Sequence, residues 1–531
     1  MGIPAFYKHL IQTIGGLTSK TRAHPPKVFG LDLNCAIYHC VRKVQKRLPY
    51  AGESNHATWE RELIQSVIQY IKYMDRIVKP SEKLVIAVDG VAPMAKIKQQ
   101  RMRRFKSAVG AEEEGRIAAV ARGIPYTPTP RWDTNAITPG TAFMAALAAE
   151  LRAYADQQPT RVVVSPADEP GEGEQKLMDW IRQHKPHDVV VYGLDADLIV
   201  LSLWAHAALG TKIDLFREET EFNGAVKTDL FDGEQFMYFT LEHLAAVLHQ
   251  KYGRGRAKCD FIQDFVAIMN LLGNDFVPHG MALKIRDNGI EQLLETYQSQ
   301  LGSTSVLTRQ ANGSVAYNVD ALKVFFGAVD EPATMLRVIK KKLESRVGAT
   351  HSKDPVDIAM ARHNDLPVSW AAERIFLTPA GQLRNDWAQL YDAKALLGAN
   401  PADVTHAYLQ SLAWNLAYYA GEPVDMTWYY PWALPPRIQS VLNTLESTKT
   451  LPVPRPDANT PALQPQEQLA MVLPQSSFHL LPKRFQDLPQ KYPYAWPSQW
   501  SVYSFGRRFL WECEPEIPLI TPQQMRHWLQ V

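Results

Sequence analysis

Short apolar runs alternate with longer helical patterns over the first 200 residues. Four runs have the length and composition of buried strands: 27–33, 84–88, 161–164 and 189–192. Around them, hydrophobic residues recur at helical spacing over 5–15, 59–78 and 141–155. This alternation predicts βαβ units and an α/β fold, with a central, mostly parallel, twisted sheet flanked by helices.

The second half of the chain has a weaker pattern. Residues 261–272 predict a buried helix that ends at Gly273. Beyond it come irregular, aromatic and proline-rich stretches, including 452–465, where proline excludes continuous helix and central strand. We therefore divide the chain into an N-terminal domain (1–297), a variable connecting segment (298–405) and a mostly helical and irregular second region (406–531) packed against the first.

Seven carboxylates stand at or just past the end of an apolar run. Such positions meet at the carboxyl edge of a parallel sheet, where open α/β sheets bind ligands. Two like charges about 4 Å apart repel by roughly 4 kcal/mol at an effective dielectric of about 20, so clustered acids need cations. The candidate catalytic and metal-binding residues are Asp32, Asp89, Glu172, Glu174, Asp195, Asp197 and Asp275.

The acids indicate the cofactor and the chemistry. Hard divalent ions take oxygen ligands, so we expect Mg²⁺, which Mn²⁺ can replace, as a pair of ions. Such a pair can activate water and stabilise the leaving oxygen of a phosphodiester. A single acidic pair is more often a solvated turn, and Asp275 alone reads as a helix cap. Recurrence of acids at several strand ends favours the metal site.

A basic stretch follows Asp89 closely. Residues 94–106 contain six lysines and arginines and no acid. On a helix, Lys96, Gln100, Arg103 and Arg104 share one face, which would suit a terminal phosphate. A solvated basic helix or a localisation signal is the simpler explanation of a charge run. The nearby acids favour the phosphate site.

A set of aromatic residues supplies candidates for base stacking. Aromatic rings line single-strand channels, where each stacked base contributes ~1–3 kcal/mol, although most aromatic residues belong to the core. The candidates are Tyr38, His39, Trp414, Trp428, Tyr429, Tyr430 and Trp432.

Bulk composition excludes several other classes. The 531 residues are 46% hydrophobic and 21% charged, with a net charge of +2, as in ordinary soluble proteins of more than one domain. Four cysteines without a CxxC pair argue against a zinc knuckle or a disulfide framework. No signal peptide, myristoylation signal or membrane span is recognisable. We expect a monomer without membrane association or a small organic cofactor, with the cytoplasm as the default location and the nucleus open.

Several motifs together are specific. In order, the chain reads MGIPAFYKHL, LDLN, VDGVAPMAKIKQQRMRRF, NAITPGTAFM, DEPGEGEQKLMDWIR, YGLDADLIVLSL and GNDFVPH, then WYYPW, PQEQLAMVLP and LWECEPEIPLI. These stretches resemble the Xrn family of 5′→3′ exoribonucleases, which is related to flap endonucleases. The resemblance spans both regions that define the family, in a form close to a minimal catalytic core.

The resemblance implies an activity and roles for residues. It implies an Mg²⁺-dependent enzyme that degrades single-stranded RNA bearing a 5′-monophosphate, one nucleotide at a time and processively. By this resemblance, the family's seven carboxylates correspond to the seven acids named above. Its 5′-phosphate pocket maps onto Lys96, Gln100, Arg103 and Arg104. The family's second region buttresses the active site and closes the channel, so that only single strands enter.

The chain departs from the family at the stacking residues. The family's stacking histidine aligns with Tyr38, and His39 follows it. The stacking tryptophan is carried onto Trp428, while Met426 replaces a neighbouring tryptophan. Two alternatives remain at this stage: a flap-type structure-specific 5′ nuclease on DNA, and a catalytically silent RNA-binding scaffold.

Overall fold

The computed structural model describes residues 6–193, 195–219, 235–302, 304–311 and 313–530. Residue 5, the first of the predicted N-terminal helix, lies outside these residues, as does most of the MGIPAF motif. The main sheet contains β1 (Thr18–Ser19), β2 (Val28–Asp32), β3 (Lys83–Ala87), β4 (Val162–Ser165), β5 (Asp188–Tyr192), β6 (Lys212–Glu218) and β7 (Phe236–Thr240). Two short hairpins pair β8 (Leu307–Arg309) with β9 (Val315–Tyr317) and β10 (Val502–Tyr503) with β11 (Glu514–Pro515).

Helices surround this sheet and build the second half of the chain. In the first half they are α1 (Phe6–Thr13), α2 (Leu33–Arg47), α3 (His56–Val78), α4 (Met94–Arg122), α5 (Ala142–Asp156), α6 (Gly173–His184), α7 (Asp197–Leu209), α8 (Leu241–Tyr252), α9 (Lys258–Asn270) and α10 (Gly289–Ser299). In the second half they are α11 (Val319–Gly327), α12 (Glu331–Leu343), α13 (Pro355–Asn364), α14 (Leu366–Trp370), α15 (Trp387–Leu390), α16 (Pro401–Ala420), α17 (Ile438–Ser447), α18 (Pro465–Val472), α19 (Leu488–Lys491) and α20 (Pro522–Gln530).

The predicted α/β fold class is confirmed. The strand order is β1-β7-β6-β5-β2-β3-β4, and all neighbours from β6 to β4 run parallel. The four strands predicted from apolar runs are β2, β3, β4 and β5, within two residues at each end, and β4 lies at one edge of the sheet. The antiparallel strands β1, at the edge of the sheet, and β7, between β1 and β6, were missed, as was the parallel β6. Residues 298–405 are also more regular than expected, because they contain the helices α11, α12 and α13.

Alternation along the central strands divides the core into two layers. In β5, Val189 and Val191 pack into one hydrophobic cluster, whereas Val190 and Tyr192 pack into the other. Such strands are buried on both faces, which is why they read as continuous apolar runs. The first cluster continues into α16, so the two halves of the chain share a core. In the described part of the chain, no helix is long and apolar enough to cross a membrane.

Helix α4 joins the two halves through a buried arginine. Arg101 is 1% exposed, and its guanidinium donates to the carbonyl oxygens of Met471 at 2.5 Å, Pro518 at 3.0 Å and Ala495. Burial lowers the pKa of Arg101 to about 9. All three acceptors belong to the second region, so this contact fixes how that region sits on α4.

We expect Arg101→Met to destabilise the fold strongly. The substitution keeps much of the side-chain volume but leaves the buried carbonyls of Met471 and Ala495 without their donor, at about 1–3 kcal/mol for each unsatisfied group. Urea unfolding should therefore give a loss of at least about 2 kcal/mol.

The matched control is Arg116→Met on the same helix. Arg116 is 65% exposed and pairs with Glu112 one turn away, so its loss should cost less than about 0.5 kcal/mol. Equal stability of the two variants would contradict the role given to Arg101.

Candidate active site

The seven predicted carboxylates project from the carboxyl edge of the parallel strands and the loops beside it. Asp32 is the last residue of β2, and Asp89 follows β3 by two residues. Glu172 precedes α6 and Glu174 is its second residue. Asp195 and Asp197 follow β5, and Asp275 lies in the loop after α9 rather than capping a helix. Asp32, Glu172, Glu174 and Asp197 are buried.

Hydrogen bonds and close packing tie β2, β3 and α6 together at this edge. Asp89 accepts from the Gly173 amide at 2.7 Å and from the Asn34 side chain at 2.8 Å, and Asn34 in turn accepts from the Asp89 amide at 3.1 Å. A β-carbon on Gly173 would lie 2.6 Å from Asp32 Oδ1 and 3.4 Å from Asp89 Oδ1. Glycine is therefore required where α6 begins, because its absent side chain makes room for two carboxylates.

Lys96 supplies a positive charge inside the acid cluster. Its Nζ lies 2.8 Å from Glu172 Oε2 and 3.0 Å from Asp275 Oδ2. Burial alone would lower the pKa of Lys96, but these carboxylates raise it well above its ordinary value. Burial likewise opposes ionisation of Asp275, yet the ammonium group holds the pKa of Asp275 below its ordinary value. Lys96 thus joins the first turn of α4 to the start of α6 and to the loop after α9.

The remaining acids carry more negative charge than Lys96 neutralises. Burial, and then the charge of Asp89, raises the pKa of Asp32 well above its ordinary value. Burial, and then Asp197, does the same to Glu174. The pKa of Asp197 rises to about 7, through burial and then the charge of Asp275. Further cationic charge would let these groups ionise together.

The donor set suits a hard divalent cation. Asp32 Oδ1 and Asp197 Oδ1 are buried without a hydrogen-bond partner, and a cation would satisfy such oxygens. No three Asp, Glu, His or Cys side chains in the described part of the chain already converge closely enough to hold an ion. The carboxylates would therefore have to move together around it.

The basic face of α4 divides between two environments. Gln100 and Arg104 are buried beside the second region and the loop at residues 134–138. Arg104 donates to the Asn135 side chain at 3.1 Å, whereas its buried Nε has no partner, and burial lowers its pKa to about 10. Arg103 is partly exposed beside them, while Lys96 points into the acids. The structure brings the four together on one helix next to the acid cluster.

The stacking candidates have different surroundings. Tyr38 is partly buried on α2, close enough to Arg104 to affect its pKa. His39 is 3% exposed and stacks on the core ring of Tyr70 at 4.9 Å. Trp428 is partly buried and stacks on the buried Trp414 at 5.9 Å. Tyr38 and Trp428 thus retain accessible ring surface, and His39 is enclosed.

Sequence reasoning missed several residues that shape the site. Asn34 and Gly173 fix Asp89, and the hydroxyl group of Tyr418 donates to Glu172 Oε1 at 2.9 Å. Asn34 follows Asp32 by two residues in LDLN and Gly173 separates the two glutamates, so their positions carried a local signal. Tyr418 lies 246 residues from Glu172, and no local pattern marks it.

Comparison with known proteins identifies the family. A model of the XRN 5′-3′ exonuclease N-terminus matches residues 1–219, and a model of the Xrn1 helical domain matches 258–362 and 391–530. The chain is 28% identical to 5′-3′ exoribonuclease 1 of Homo sapiens, over 99% of this chain and 34% of that protein. It is 25% identical to 5′-3′ exoribonuclease 2 of Arabidopsis thaliana, over 99% of this chain and 66% of that protein.

A comparison of structures gives a more distant similarity. The solved catalytic core of Rad2 in complex with DNA substrate covers 84% of this chain and 95% of its own, at 10% identity and a TM-score of 0.32. The chain spans about one to two thirds of the length of the curated relatives named above. The two family models together cover most of its residues, and the chain belongs to the XRN 5′-3′ exonuclease family.

Proposed function

We propose that this chain is a divalent-metal-dependent 5′→3′ exoribonuclease that degrades 5′-monophosphorylated single-stranded RNA to mononucleotides. One observation carries the proposal: Lys96 connects the acid cluster directly to the basic face of α4. A site for phosphodiester cleavage and a site for a terminal phosphate would then be neighbours. An enzyme with this arrangement would cleave a nucleic acid from its end rather than within the strand.

The carboxylates would bind the cations and so place them beside the reacting phosphodiester. Asp32, Glu172, Glu174 and Asp197 are buried, and Asp89, Asp195 and Asp275 complete the set. Mg²⁺, as two ions, would supply Lewis-acid stabilisation of the charge that develops on the phosphodiester. The Gly173 amide orients Asp89, and Asp32 packs against Gly173, so these two acids would form the fixed side of the site towards which the other carboxylates move.

The basic face of α4 would hold the 5′ phosphate. Arg103 and Arg104 can offer guanidinium donors, Gln100 an amide and Lys96 an ammonium group. The unpartnered Nε of Arg104 is a donor available to such a ligand. Each cleavage leaves a new 5′ phosphate, which can enter the same pocket and make degradation processive. Tyr38 and Trp428 are the proposed base-stacking residues, and His39 is the weaker candidate because its ring stacks on Tyr70.

We expect Mg²⁺-dependent release of mononucleotides from 5′-monophosphate RNA, and slow decay of the same RNA with a 5′ triphosphate. The test is a time course with RNA labelled uniformly, resolved by length, in Mg²⁺ and in EDTA. Asp195→Ala should abolish the activity.

The products separate the alternatives. Excised oligonucleotides from branched DNA would indicate a flap-type nuclease. Tight RNA binding in EDTA without any Mg²⁺-dependent product would indicate a silent scaffold. Equal decay of the two RNAs, or an active Asp195→Ala variant, would contradict the proposal.

Arg103→Met should weaken recognition of the 5′ phosphate without harming the fold. Charge-assisted hydrogen bonds to phosphate contribute about 1.5–3 kcal/mol, so KM for 5′-monophosphate RNA should rise at least tenfold. The rate on 5′-hydroxyl RNA should stay as in the unmodified protein.

Arg116→Met is the control here as well, since it removes the same charge from an exposed part of α4. Both variants should melt at the same temperature. If Arg116→Met raised KM as much as Arg103→Met, the effect would be one of general charge, and the pocket assignment would be wrong.

Gly173→Ala should disrupt the acid cluster. The new methyl group would lie 2.6 Å from Asp32 Oδ1, and a displacement of this size should lower kcat about a hundredfold. The rise in melting temperature on adding Mn²⁺ should shrink as well. Gly110→Ala is the control, because no atom lies within 4 Å of the added methyl group and alanine favours a helix by about 0.5–1 kcal/mol. Unchanged Mn²⁺ stabilisation of Gly173→Ala would refute this account.

A further inference from the structure

Helix α16 turns one face towards the acid cluster from the second region. Tyr418 and Tyr419 lie three and four residues after Asn415, which places all three on one side of the helix. All three are buried. This face belongs to a part of the chain distant in sequence from every one of the seven carboxylates.

Each of the three residues approaches a different part of the site. The Tyr418 hydroxyl group donates to Glu172 Oε1 at 2.9 Å. Asn415 Oδ1 accepts from the side chain of Asn274, the neighbour of Asp275, at 2.7 Å. Tyr419 is buried, and its pKa is raised well above the ordinary value by burial and then by the charge of Asp197.

The ring of Tyr418 is held on two sides. It stacks on Trp414 with ring centroids 4.9 Å apart, and Phe276 meets it edge-on at 5.5 Å. Trp414 in turn stacks on Trp428. A ring held in this way fixes the direction of its hydroxyl group, because the side chain has only two rotatable torsions that place the ring.

The contact fixes one oxygen of Glu172 while the other faces the site. Glu172 Oε1 accepts from Tyr418, and Glu172 Oε2 lies 2.8 Å from Lys96 Nζ. A carboxylate held at one oxygen cannot rotate freely about its last torsion. Outer hydrogen bonds of this kind orient metal-binding side chains, and their loss commonly lowers metal affinity or activity by 10–100-fold.

We propose that Tyr418 is a positioning residue for Glu172, through which helix α16 of the second region sets the geometry of the cation site. The inference rests on the proposed function, since it assigns Glu172 to the cation. It assigns a specific contact, from Tyr418 to Glu172, to the support of the site by the second region. Tyr418 touches neither the cation nor the RNA in this role.

The test compares Tyr418→Phe with Tyr408→Phe. Both tyrosines are buried on α16, and both changes remove one hydroxyl group. Tyr408 lies away from the acids, where its ring meets Phe326 and Tyr430. Mn²⁺ binding is measured without RNA, by electron paramagnetic resonance of the free ion, and kcat and KM are measured on 5′-monophosphate RNA.

Tyr418→Phe should weaken Mn²⁺ binding about tenfold and lower kcat by a similar factor, with KM for RNA unchanged. Tyr408→Phe should change none of these values. In a Glu172→Gln background, Tyr418→Phe should have little further effect on Mn²⁺ binding, because the two residues act as a unit.

Three results would overturn the inference. The first is Mn²⁺ binding by Tyr418→Phe equal to that of the unmodified protein, whatever its melting temperature. The second is an equal loss in both tyrosine variants, which would indicate a structural role of α16. The third is full additivity with Glu172→Gln. An unmodified protein that binds Mn²⁺ but degrades no RNA would refute the proposed function, while the binding comparison would still judge the role of Tyr418.

Discussion

The structure depends on how a buried group of like charges is kept together. Burial, and then repulsion from neighbouring carboxylates, raises the pKa values of Asp32 and Glu174 well above their ordinary values. Lys96 offsets part of this repulsion by pairing with Glu172 and Asp275. The lysine comes from the first turn of α4, so the electrostatic balance of the sheet edge also fixes the position of that helix.

Helix α4 then determines where the second region sits. Its residues face several sides in turn: Lys96 reaches the acids, Arg104 the loop at residues 134–138, and Arg101 the carbonyl oxygens of the second region. The second region returns to the same acids through Tyr418. Elements from both halves of the chain thus enclose the carboxylates, and neither half encloses them alone.

The features that could be predicted from the sequence are those that depend on a local pattern of residues. The parallel strands were recognisable because strands buried on both faces read as apolar runs, and Asp32, Asp89 and Asp195 were recognisable because they stand at or shortly after the ends of such runs. Strand β7 was missed, since it pairs on one side with β1, which is far away in the sequence. The buried position of His39 could not be predicted either, because packing against Tyr70 on α3 decides which side of α2 faces the core. The partners of Lys96 and Tyr418 are likewise tertiary contacts without a local signal.

The contacts of the basic stretch at 94–106 have a consequence for how binding of the proposed RNA substrate would respond to salt. Lys98 donates to the carbonyls of Tyr430 and Trp432. Lys106 donates to the carbonyls of Trp511 and Cys513. Arg101 likewise donates to carbonyls of the second region. Charges used inside the protein release no counterions when a nucleic acid binds. If RNA binds as proposed, the dependence of its affinity on ionic strength would therefore be set by fewer charges than the composition of this helix implies, and binding by this segment would resist salt better than its charge count indicates.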